Sequence, residues 1–217
     1  MSLVKNIGLG VPASVDDFLK RNCPMQDKPK CEIKGKLVDV EGDLVLSATD
    51  EPSENGWRFN RVKGNLNCAH SQVNHMSGFP NEVDGYFDIS FSKITSLKHC
   101  PTKVGGDFIC KNNHLTSLKG APKIIGEWFS CQSSQLTSLE GAPQEVGGGF
   151  DCSWNQLTSL KGVPQTVGKD FWCNDNHLTS LEGAPKVVGG DFYCYRNPNL
   201  HSLDGIGEVE GYIVKDF

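Results

Sequence analysis

The chain has 217 residues, 37% of them hydrophobic, with 26 Asp and Glu against 21 Lys and Arg and a formal net charge of −5. That balance argues against a nonspecific nucleic-acid or membrane-surface binder, which carries a basic footprint. No apolar run approaches the ~20 residues of a transmembrane helix, and the start, MSLVKNIGLGVPASVDD, lacks the apolar stretch and cleavage site of a secretory signal; a cytoplasmic protein is expected.

In chain order, Ser14-Val15-Asp16-Asp17 has the form of an N-cap followed by an acidic first turn, which predicts a short helix near 14–22. Phe18 and Leu19 on that helix would cover the open end of whatever stacks behind it. Ile33–Leu37 and Val40–Leu46 read as worn strand phrases, and the polar TDEPSENGW at 49–57 as an insertion. Residues 1–61 therefore read as an N-terminal cap with degenerate first coils.

From Val62 the chain repeats itself. Full units begin at Val62, Val83, Val104, Ile125, Val146, Val167 and Val188, a spacing of 21 residues, with the consensus V-G-G-D-F-x-C-x-x-N-x-L-T-S-L-x-G-A-P-x-x. One such unit cannot bury its own apolar side, so neighbours must stack into a solenoid. The F-x-C phrase alternates in, out, in, as a short strand on a core does. Phe108, Phe129, Phe150, Phe171 and Phe192 are thus expected to form an inward ladder, with the leucines filling the rest of each coil. Asn113, Asn155, Asn176 and Asn197 follow the strand where the chain must turn, and their amides suit the satisfaction of bent backbone; Ser134 is the departure. Gly-Ala-Pro rules out a helix on the far side, leaving turn or 3₁₀ segments there. The fold class is mainly β, a single-domain parallel β-solenoid over 62–208 with a closing strand in 209–217.

Nine cysteines raise the question of disulfides or metal. Cys110, Cys131, Cys152, Cys173 and Cys194 recur at the same repeat position, with Cys68 two periods earlier, so they stack as small inward groups. Metal sites use short clusters such as C-x-x-C, which are missing, and the reading preferred is a buried core ladder. A Cys23–Cys31 pair stays open.

The pattern V-x-x-x-F-x-C-x-x-N-x-L-x-x-L-x-x-x-P resembles the leucine-rich repeat in its short bacterial form. Its LTSLEGAP…VGGDFYC wording looks like repeats of proteins from large-genome bacteriophages. The resemblance covers about 62–208 and departs from the leucine-rich pattern by one extra residue before the strand and by Phe and Cys in place of leucines. It implies protein recognition on the strand face, and for a phage protein a target in the host cytoplasm, such as a defence component that it would bind and inhibit. It supplies no catalytic residues.

The positions that do not repeat carry what function is legible. Trp128, Trp154, Trp172, Tyr193 and Tyr195, with Arg196 beside them, are residue types that dominate interface hot spots. Asp107, Asp151, Asp170 and Asp191 add a row of carboxylates suited to a protein partner with a basic surface. The rival readings are an acidic inhibitor that mimics nucleic acid and a solenoid that binds or cleaves glycans through its aspartates. No P-loop, G-x-S-x-G or H-x-x-x-H is present, so no enzyme, catalytic residue, metal or cofactor is expected, nor direct nucleic-acid binding.

Overall fold

The computed structural model describes residues 30–34, 37–46 and 58–217. The helix expected near 14–22, the insertion at 49–57 and Cys23 lie outside them. The described chain is a parallel β-solenoid of about eight turns, each of about 21 residues, with no helix among the described residues. No helix there is long and apolar enough to cross a membrane.

Each coil contributes two short strands rather than the single F-x-C strand expected. The residue pair ending in the repeat valine, such as Lys103–Val104 or Ile124–Ile125, joins a 10-stranded sheet. The pair beginning at phenylalanine, such as Phe108–Ile109 or Phe129–Ser130, joins a 9-stranded sheet. The glycines between them bend the chain from one sheet to the other. They are required by stacking, since a Cβ on Gly126 would overlap the carbonyl oxygen of Gly105 in the coil before. The far side, where turn or 3₁₀ segments were expected, contains turns and no 3₁₀ helix among the described residues.

The register confirms the 21-residue period residue by residue: Phe87, Phe108, Phe129, Phe150, Phe171 and Phe192 pair in succession. All six rings are buried, with centroids of neighbours 5.0–5.8 Å apart. Aromatic pairs at this separation contribute about 0.5–1.5 kcal/mol each beyond their buried area. Beside them run the buried cysteines, whose thiols donate to the carbonyl of the next coil: Cys110 to Ser130 at 3.2 Å, Cys152 to Trp172 at 3.3 Å and Cys173 to Tyr193 at 3.3 Å. Burial pushes the thiols of Cys131, Cys152 and Cys173 well up, and that of Cys194 up to about 11. Thiols held protonated in this way are poor nucleophiles and poor metal ligands, as befits core.

The asparagines form a third ladder, as expected. Asn155 Nδ2 donates to the carbonyls of Cys131 and Cys152, both at 3.1 Å, and its Oδ1 accepts from Leu136 N–H of the previous coil at 3.1 Å. Asn113, Asn176 and Asn197 repeat the arrangement. One side chain thus closes its own turn and ties it to the coil before, satisfying groups that no strand reaches. At Ser134 the shorter side chain cannot do so: its hydroxyl is buried without a partner, and Leu115 loses the acceptor that Ile94, Leu136 and Leu157 enjoy.

The two ends differ. At the start, Lys30–Lys34 folds back antiparallel on Leu37–Glu41 and reverses the direction of the valine sheet. At the other end, Glu208–Val209 and Ile213–Val214 continue both sheets in parallel. Ile213 occupies the phenylalanine position there and is 38% exposed.

Candidate functional site

The outer face of the phenylalanine sheet is built from two columns, the residue before each phenylalanine and the residue after it. In the first column the chain has not yet entered the strand, so its N–H lacks a ladder partner. Where a carboxylate or amide stands in the column one coil earlier, it supplies one. Asp43 accepts from Asn65 N–H, Asn65 from Tyr86, Asp107 from Trp128, Asp170 from Asp191 and Asp191 from Tyr212, all at 2.8–2.9 Å. Asp107, Asp170 and Asp191, read from sequence as a charged row for a partner, therefore each commit one oxygen to the scaffold.

Asp151 belongs to the second column and is 5% exposed. Its Oδ1 accepts from Ser153 N–H at 2.9 Å and from Ser153 Oγ at 2.6 Å. Burial pushes its carboxyl up, against the pull of the two Ser153 bonds. It closes a local turn and presents little charge to solvent.

Three of the expected aromatics do come together. Trp128 lies across the first column over Gly149, where a Cβ would stand 2.5 Å from its ring. From there it meets the edge of Trp172 two coils on, with centroids 5.6 Å apart and planes at 67°. Trp172 meets Tyr193 of the next coil at 5.4 Å and 79°. Tyr193 donates its hydroxyl to Asp191 Oδ2 at 3.0 Å, and that bond raises its pKa above the ordinary tyrosine value. All three rings are half-buried, and the Trp172 indole N–H is covered without an acceptor.

The other three predicted residues lie elsewhere. Trp154 and Arg196 occupy the corner that follows each strand, where the backbone of every coil turns left-handed at φ 52–56°. Past that turn a side chain leaves the sheet face, so the single aromatic surface expected from the sequence is two surfaces. Trp154 is 51% exposed. Tyr195 is half-buried beneath Arg196, whose guanidinium lies 5.8 Å from its ring and 3.4 Å from Asp175 Oδ1.

Two contributors went unnoticed in the sequence. Gly149 makes the space into which Trp128 reclines, and its signal was the one gap in a column otherwise filled by Asn, Asp, Tyr and Trp. Phe91 shares the left-handed corner with Trp154, is 47% exposed, and stacks on His70 at 4.6 Å and 4°. No group of side chains placed to hold a metal ion occurs among the described residues. No protein-family model, curated protein or solved structure matches the chain.

Proposed function

We propose that this chain is a protein-binding solenoid, leucine-rich-repeat-like in presenting a strand-lined face, and that the Trp128–Trp172–Tyr193 cluster is its anchor. The observation that carries this reading is the recumbent indole of Trp128 over Gly149, which gathers aromatics from separate coils into one rigid, half-exposed group. Anchors already fixed by neighbours lose little side-chain entropy on docking, and large rigid aromatics at the centre of an interface carry most of its energy. Asp170 and Asp191, beside the cluster, favour a partner with a basic rim. The likeness of the repeats to bacteriophage proteins supports a host protein as the partner, bound and inhibited.

A nucleic-acid mimic is the weaker reading, because its carboxylates would have to stand free, and here Asp107, Asp170 and Asp191 bind backbone. The test uses Gly149→Asp, which copies Asp170 of the next coil while evicting Trp128, together with Trp172→Ala. Wild-type and variant baits are compared for partner capture from host extract, then for affinity to the captured protein. The expected loss is roughly 2 kcal/mol, the scale of an interface hot spot. Equal recovery by all three baits would overturn the reading.

A further inference from the structure

The left-handed corners form a column of their own. Successive corners are joined by in-register backbone bonds, Phe91 N–H to Lys111 O at 3.1 Å, Asn112 to Gln132 at 3.0 Å and Ser133 to Ser153 at 3.1 Å. Two corner residues are large, hydrophobic and exposed, Phe91 and Trp154, although left-handed backbone is disfavoured for bulky side chains. Phe91 is braced by the stacked ring of His70, and Lys111 Nζ lies 6.0 Å from its centroid. Between them lie only the smaller Asn112 and Ser133.

This edge also reverses the charge of the molecule. Lys93 is exposed and Lys111 half-buried along it. The carboxylates that follow the strands along it are Asp175 and Asp216, both toward the C-terminal end and both engaged, Asp175 by Asn174 at 2.7 Å and Arg196 at 3.4 Å and Asp216 by Arg196 N–H at 2.8 Å.

The spacing selects the occupant. Phe91 and Trp154 are three coils apart, about 14 Å at about 4.8 Å per coil. An extended chain advances about 3.4 Å per residue, so side chains four residues apart on one face stand about 13.6 Å apart. A helix offers about 10.5 Å or about 16.5 Å on one face and matches less well. Base stacking is disfavoured at Phe91, because His70 already stacks on its ring.

We propose that this edge is a second docking surface, for an extended acidic segment of a partner protein. Two apolar side chains four residues apart meet Phe91 and Trp154, and the carboxylate between them meets Lys93 and Lys111. The surface uses neither Trp128 nor Trp172 and is independent of the sheet-face anchor.

The experiment measures fluorescence anisotropy of a labelled peptide with the core Leu-Glu-Glu-Glu-Leu. Controls are its lysine counterpart, a version with adjacent leucines, and an oligothymidylate of about ten nucleotides. Trp154→Asn and the double variant Lys93→Gln/Lys111→Gln copy residues that other coils already hold at those places, so the fold is retained. The acidic peptide is expected to bind, to weaken at least about tenfold with Trp154→Asn, to weaken severalfold with the double variant at low salt only, and to ignore Trp172→Ala. No saturation up to about 1 mM, equal or tighter binding of any control, or affinity unchanged by both edge variants would overturn the proposal.

Discussion

Each of the seven full repeats passes through left-handed backbone twice, and the two corners are filled by opposite rules. At the turn after the leucines the residue is glycine at 78, 120, 141, 162, 183 and 205, with His99 as the exception. At the turn after the strand it is never glycine: His70, Phe91, Asn112, Ser133, Trp154, Asp175 and Arg196 follow one another. The backbone conformations differ: φ is 84–108° at the glycines, beyond the left-handed region that side chains readily take, and 52–56° at the strand-side corner, inside it. Space adds to the difference. A Cβ on Gly141 would stand 2.7 Å from the backbone of Lys119, whereas the strand-side corner points its side chain into solvent or onto its neighbours. One corner excludes side chains; the other accepts them.

The comparison is broken most directly by giving the glycine corner a side chain. Gly141→Ala adds both left-handed strain and a collision with backbone that cannot yield, and a loss on the order of 3 kcal/mol is expected in urea unfolding. The matching change on the other corner, Ser133→Ala, is expected to alter stability by no more than about 0.5 kcal/mol. Similar losses at the two positions would end the claim that conformation and space separate them.

Beside four of the seven strand-side corners an asparagine closes the turn. Asn155→Ala removes its bonds to Cys131, Cys152 and Leu136, leaving buried backbone groups unpaired, and about 2–3 kcal/mol should be lost. Ser134→Asn runs the experiment in reverse. It supplies the missing acceptor to Leu115 and is expected to stabilise by about 1 kcal/mol. A neutral result there, with a large loss at Asn155, would mean that the fourth coil has relaxed around its serine.

The ladders were legible because the 21-residue period shows each inward position several times, so that Phe, Cys, Leu and Asn declare themselves by recurrence. The valine sheet was not, since a strand of two residues with one inward side chain, such as Lys103–Val104, leaves no alternation to read. Within the site, Trp172 and Tyr193 were recognisable as column neighbours. Trp128 joins them only because Gly149 is empty space, which a sequence shows as an ordinary glycine. The aspartates were counted as charges because the unpaired N–H groups that they serve appear only in the backbone hydrogen bonds. Trp154 was assigned to the sheet face by carrying the strand's alternation past Cys152, where the backbone in fact turns left-handed.

The smallest expected effect tests the corner most sharply. Trp154→Gly removes left-handed strain of about 1–2 kcal/mol, while glycine's greater freedom in the unfolded chain takes back about 0.4–1 kcal/mol. The balance is a gain of roughly 0.5 kcal/mol in stability, measured by urea unfolding against wild type. A protein that becomes more stable on losing an exposed tryptophan, and in the same preparation loses its hold on the acidic peptide, has been keeping that side chain for contact rather than for folding. A loss of stability instead would show Trp154 to be packing its neighbours, and the corner would belong to the scaffold after all.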